Sequence, residues 1–213
     1  MSSAILPELI KAIFTHIKFV VVAVTLGSII AIVLASILSR FKTISKYIMP
    51  IIGLFQTIPG IVFIGVLFVY TGMRPKTIYI ALTAYAIFPV LKNTYAGILD
   101  VDASYVEAAR GIGMTQWQSL LKVELPMAVP SIFAGIRMST VYTVSWAVLA
   151  AMIGQGGLGV FIYRGIDTNV QETILIGAIP SAILAILMGY FVDYLQTKFM
   201  PKGLTTGGTQ HDR

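Results

Sequence analysis

The run Phe19–Leu38 limits what this chain can become more than any other feature. It is 20 residues long, interrupted only by Thr25, Gly27, Ser28 and Ser36. About 20 mostly apolar residues in a helix cross the hydrocarbon core of a bilayer. Four further stretches have a similar character: Ile48–Tyr70, broken by Pro59-Gly60; Ile78–Ile98, whose second half carries Pro89, Lys92 and Asn93; Val129–Ile153; and Ile174–Tyr190, which extends toward Phe199. The expected fold class is an all-α polytopic membrane protein with five transmembrane helices and room for a sixth, re-entrant or surface, helix. Phe19–Leu38 also exceeds the roughly 7–15 apolar residues of a signal peptide, so it reads as a retained span.

Composition supports the same reading. Hydrophobic residues make up 57% of the 213, charged residues only 11%, and the mean hydropathy is +0.87. A soluble domain of this size needs a charged, hydrated surface that this chain cannot supply. The net charge of +6 would suit nucleic acid in a soluble protein. Here the basic residues lie between apolar runs, and the positive-inside rule accounts for them without a nucleic-acid partner. Arg40, Lys42, Lys46, Lys92, Arg110, Lys122, Arg137, Lys198, Lys202 and Arg213 fall on one side of the five spans. Lys11, Lys18, Arg74, Lys76 and Arg164 fall on the other. The amino terminus is therefore expected outside and the carboxyl terminus in the cytoplasm. Residues 1–18 read as an extracellular or surface segment, with Ile10, Ile13, Phe14 and Ile17 on one face of an amphipathic helix. Residues 19–199 form the transmembrane domain, with a cytoplasmic loop at 100–127, and 200–213 a polar cytoplasmic tail.

Several chemistries are excluded. There is no cysteine, and His16 and His211 lie at opposite ends of the chain, so no metal or redox centre is expected. Nearly all the acidic residues sit in loops or at span ends and none pairs with a histidine, which argues against a membrane-embedded enzyme. No Gly-x4-Gly-Lys-Ser/Thr occurs, so the chain has no phosphate-binding loop of its own.

The longest polar stretch, Asp100–Pro126, carries the function. Ser104-x-x-Glu107 and Thr115-x-x-Gln118 have the capping-box pattern of helix starts. Gly113 precedes the second, where a helix end needs a residue free to take positive φ, and Pro126 is a stop signal. The expectation is helix, glycine turn, helix. Tyr105, Ala108, Ala109 and Ile112 share one face of the first helix; Trp117, Leu120, Leu121 and Glu124 share one face of the second. Taken locally, this is either a connecting hairpin on the membrane surface or a rigid lever for a partner's groove.

Glu107-Ala108-Ala109, then Gly113, then Val123-Glu124-Leu125-Pro126 resembles the EAA loop of bacterial binding-protein-dependent ABC permeases, Glu-Ala-Ala-x3-Gly-x9-Ile-x-Leu-Pro. Val123 in place of Ile is the only departure. Gln56-Thr57-Ile58-Pro59, Lys92-Asn93-Thr94 and Ile153-Gly154-Gln155-Gly156-Gly157-Leu158-Gly159 are similar to the osmoprotectant branch of that family, which serves glycine betaine, carnitine and choline. The resemblance implies a MetI-like ABC permease core in a bacterial cell membrane. It implies that Glu107, Ala108, Ala109, Gly113, Leu125 and Pro126 couple to a separate ATPase subunit, on which ATP and magnesium bind. It also implies a second permease chain, identical or a sister, and an extracellular substrate-binding protein. The chain itself is then a transport subunit, not an enzyme, and binds no cofactor. The EAA pattern does not choose the solute; methionine or phosphonate is the alternative to a compatible solute.

Other residues carry open alternatives. Pro59-Gly60, preceded by Gln56 and Thr57, either lines the translocation path or is a packing kink. Tyr70, Tyr85, Tyr142, Trp146 and Tyr163 could face a quaternary ammonium or anchor at the interface. Gly154, Gly156, Gly157 and Gly159 form a simple turn, an outer gate or a docking loop. Gly154-x-Gly156-x-x-Gly159 fits the dinucleotide fingerprint, but it follows a membrane span where that motif needs a strand. Arg137, inside the fourth span, is read as snorkelling to the headgroups.

Overall fold

The computed structural model describes residues 5–200, and over that range the chain is helical, with no strand. All five apolar stretches are helices. The first is α1, Ile5–Arg40, 36 residues without a break. At 1.5 Å per residue it rises about 54 Å, well beyond a hydrocarbon core of about 30 Å. Residues 5–18, within the expected surface segment, are continuous with the rest of α1. Ile10 and Phe14 are exposed, while Ala12, His16 and Phe19 enter the core. Residues 1–4 and the expected polar tail at 201–213 lie outside the described residues.

The second stretch is two helices, α2 (Lys42–Phe55) and α3 (Gly60–Thr71), meeting at 92°. Pro59 stands at the N-cap of α3 with extended backbone. Proline disfavours the helical region for the residue before it, so Ile58 cannot continue α2. The third stretch is α4, Pro75–Leu99, which runs through Pro89. Helix α5, Ala103–Gly111, and a short α6, Gln116–Ser119, form the polar loop. A wide π-turn at Leu120–Glu124 and a short α7, Leu125–Met127, lead into α8, Val129–Ala147. A 3-10 segment, Val148–Ile153, follows. Helix α9, Gly159–Asp167, is short, and α10, Gln171–Phe199, is the last span. Three helical segments, α1, α8 with the 3-10 segment, and α10, are long and apolar enough to cross a membrane on their own; the bent α2–α3 pair is a fourth if its two helices form one span, and α4 is not among them.

Helix α4 is the axis of the fold, packed between α1 and α8. Small residues let these backbones approach closely, as membrane helices require. On α1, Ala23, Gly27, Ala31 and Ala35 recur every fourth residue and are buried. A Cβ added to Gly27 would stand 2.8 Å from the Ala86 Cβ. On the other side of α4, a Cβ at Gly135 of α8 would stand 3.0 Å from the Pro89 carbonyl oxygen. Helix α10 packs on α8 and α9 and leaves a long apolar face uncovered, including Ile179, Ile183, Leu187 and Phe191.

Candidate functional site

The loop expected to carry the function is a helical hairpin with its ends fixed by local hydrogen bonds. Asp102, not Ser104, caps α5: its carboxylate accepts the Ser104 backbone N–H at 2.8 Å. That bond, reinforced by the Ser104 hydroxyl, holds the Asp102 carboxyl below its ordinary range. Ser104 is itself inside the helix, one residue pair too late to cap it. The carboxyl end of α5 closes as a Schellman motif. Met114 N–H donates to Ala109 O at 3.0 Å, Gly113 N–H donates to Arg110 O at 2.9 Å, and Gly113 has φ of 84°. The capping box at Thr115 forms in both directions: Gln118 N–H donates to Thr115 Oγ1, and Thr115 N–H donates to Gln118 Oε1 at 2.8 Å.

Two expectations about the second helix are corrected. Pro126 does not end it, because the chain widens before the proline. Leu125 N–H reaches Leu120 O, one residue farther than in an α-helix. Proline's ring clashes with the carbonyl four residues before it, and the wider turn relieves that crowding. The expected shared face is also split. Leu120 and Glu124 are buried, whereas Trp117 and Leu121 are exposed. Of the first helix's face only Ala109 is buried; Tyr105, Ala108 and Ile112 are exposed, as is Glu107. Tyr105, Ile112, Trp117 and Leu121 thus give the hairpin an uncovered apolar surface.

Glu124 is held by a group that the sequence does not signal. Arg40, the last residue of α1, clasps it through both guanidinium nitrogens, Nη1 donating to Oε1 at 3.2 Å and Nη2 to Oε2. Ser119 Oγ donates to the same carboxylate at 2.9 Å. The Glu124 side chain is only 4% exposed. A buried carboxylate needs such a cation and such hydrogen bonds. Nothing in the sequence spacing points to Arg40, 84 residues away.

The residues expected to line a path separate into two groups. Gln56 and Tyr142 share a cavity of about 350 Å³ with Phe88, Pro89, Lys92, Asn93, Ala96 and Met138. Tyr85, Trp146 and the Pro59-Gly60 bend belong to a packed cluster beside it. Tyr85 stacks on Trp146 with ring centroids 4.3 Å apart, and its hydroxyl donates to Ile58 O at 2.7 Å. A Cβ on Gly60 would collide with the Trp146 ring at 1.8 Å. Thr57 turns back to donate to Leu54 O. Lys92 and Asn93, polar residues of the third apolar stretch, also stand on the cavity wall.

The glycine loop lies at the opposite end of α1 from Arg40. Gly154, Gly156 and Gly157 all have positive φ. His16 Nε2 hydrogen-bonds to Val144 O at 2.9 Å and its Nδ1 accepts Leu158 N–H at 3.3 Å, so this ring ties the loop to α1 and α8. Arg164 of α9 pairs with Glu8 there, Nη1 to Oε2 at 3.1 Å. Arg137 does not snorkel freely; its Nε meets Asp193 of α10 at 2.9 Å.

Residues 23–202 match the family model described as "Binding-protein-dependent transport system inner membrane component". The chain is 38% identical over 197 residues to the "Glycine betaine/carnitine/choline transport system permease protein OpuCB" of Bacillus subtilis, covering 92% of this chain and 91% of that one. It is 35% identical to the "Carnitine transport permease protein OpuCB" of Listeria monocytogenes, covering 92% and 90%. It is 34% identical to the "Osmoprotectant import permease protein OsmW" of Salmonella typhimurium, covering 90% and 91%. In three dimensions it resembles an inward-facing MetNI methionine ABC transporter chain, with TM-score 0.83 and 18% identity over 94% of this chain and all of that one. The last likeness speaks for the fold alone.

Proposed function

This chain belongs to the binding-protein-dependent transport system inner membrane components, and from that premise we propose that it is the pore-forming subunit of an importer for small compatible solutes of the glycine betaine, carnitine and choline type. The family is one of transport subunits, and it implies an ATPase and a substrate-binding protein as partners. The observation that carries the mechanical part is the hairpin at 103–127. It is capped at both helix starts, leaves its apolar face uncovered, and is bolted to α1 by Arg40–Glu124.

In the proposed cycle the ATPase, with ATP and magnesium bound to it, receives Glu107, Ala108, Ala109 and Gly113 in a surface groove. Closure of two ATPase subunits pulls two hairpins together, one from each permease chain of an identical or sister pair. Leu125 and Pro126 carry the movement into α8, and Glu124 carries it into α1. The cavity between α4 and α8 then opens alternately to each side, the rigid-body logic of alternating access. The amino terminus lies outside and the carboxyl terminus inside a bacterial cell membrane, with the binding protein docking near the Gly154–Gly159 loop. The relatives' names support the solute class.

The test is uptake of labelled glycine betaine, carnitine and choline at high osmolarity, in cells with and without this subunit and lacking redundant systems. Uptake of at least one solute depends on the subunit if the proposal is right; equal uptake in both strains overturns it.

A further inference from the structure

The cavity between α4 and α8 holds a cation with no counter-charge. Lys92 sits within α4, seven residues before its last residue, Leu99, so about 10 Å from that end of the helix. None of the ion pairs among the described residues includes it: those are Arg40–Glu124, Arg137–Asp193 and Arg164–Glu8. The contrast with Arg137 is informative. Lys92 is an exposed cation on α4 and Arg137 a cation on the neighbouring α8, and Arg137 has a carboxylate at 2.9 Å. A charge inside the membrane is costly and normally pairs or faces a water-filled cavity. Lys92 faces the cavity, together with the Gln56 amide and the Tyr142 ring. The Asn93 amide donates to Pro89 O at 2.8 Å, so it is held in place beside the lysine. The volume, about 350 Å³, is within the range of roughly 300–1,000 Å³ typical of small-molecule sites. Lys92 would meet an anion, Gln56 would donate a hydrogen bond to it, and Tyr142, half exposed at 48%, offers an aromatic face to a cation.

Resting on the importer reading above, we infer that this cavity is a transient site for a small zwitterion, whose carboxylate pairs with Lys92 while its quaternary ammonium lies on the Tyr142 ring. The site then favours solutes with a carboxylate over a purely cationic one such as choline. Selectivity is built into the membrane subunit as well as the external binding protein.

The absence of cysteine in the chain makes a direct test simple. Met138→Cys places a thiol on the cavity wall without touching Lys92, Gln56 or Tyr142. In the assembled complex, without nucleotide, millimolar glycine betaine should slow maleimide labelling of that thiol several-fold, and choline should not. Lys92→Met should abolish the protection and Lys92→Arg should restore part of it. Uptake is read alongside. With the same binding protein, the ratio of glycine betaine to choline transport should fall about tenfold in Lys92→Met, the loss expected for one charge-assisted hydrogen bond. Equal protection by both solutes, no protection by either, or protection that survives Lys92→Met overturns the inference and leaves Lys92 a snorkelling residue. A wild-type complex that carries none of the three solutes refutes the solute assignment instead, and the labelling result still judges Lys92.

Discussion

Removing one partner of Arg40–Glu124 leaves the other charge buried without compensation. Arg40→Met or Glu124→Gln should each destabilise the folded subunit by about 3–5 kcal/mol, whereas Arg40→Met with Glu124→Leu should recover most of that loss. Thermal unfolding of the purified complex in detergent checks both; additive losses in the double variant would show that the two side chains act independently. Glycines in the hairpin separate in the same way. Gly113 has open space around its Cα but a left-handed backbone, so Gly113→Ala should cost about 1–2 kcal/mol through φ alone. Gly111 has the same open space and a helical backbone, so Gly111→Ala should stabilise α5 by about 0.5–1 kcal/mol. Asp102 adds a pH signature. Its folded-state pKa is depressed, so its capping contribution is complete above the unfolded value of about 4 and fades as pH falls through the folded value. Amide exchange at Ser104 should accelerate in that acid window, and Asp102→Asn, which caps comparably without titrating, should remove the dependence.

At the scale of elements, the hairpin is a stiff part whose role depends on orientation. Glu107→Lys should weaken retention of the ATPase on the membrane, and Gly113→Pro should uncouple ATP hydrolysis from uptake while the permease still inserts. Co-purification and the ratio of hydrolysis to transport measure these outcomes; a Gly113→Pro complex with normal coupling would refute the lever account. Much of this element is legible in the sequence. The Thr115–Gln118 capping box, the Gly113 turn and the apolar runs depend on neighbours a few residues away, which a linear reading can see. The failures share one origin. The π-turn at Leu120–Glu124 arises because Pro126 and the buried Glu124 must be accommodated together, and Arg40 supplies the second constraint from another helix. The edge of the buried region runs between Leu120 with Glu124 and Trp117 with Leu121, and no local pattern marks that edge. The 92° break at Pro59 was visible as a break, but not as an angle, since the Tyr85–Trp146 stack that pins it is long-range.

For the whole molecule, the distribution of basic residues makes an orientation that single cysteines can read. Lys11→Cys should react with an impermeant maleimide in intact cells and Lys122→Cys only after permeabilisation; the reverse pattern would invert the proposed topology. Helix α1 joins the two ends of the molecule. Beyond Pro7 in its first turn it contains no proline, and it bears Glu8 and His16 toward one end and Arg40 at the other. From Glu8 to Arg40 is about 48 Å along the axis at 1.5 Å per residue. An unbroken rod of that length has no joint in which to absorb a displacement. Whatever moves Arg40 therefore moves the glycine-loop contacts of His16 in the same event. Reporter groups at the two ends should relax with a single shared rate constant, with no kinetic intermediate in which one mouth has shifted and the other waits.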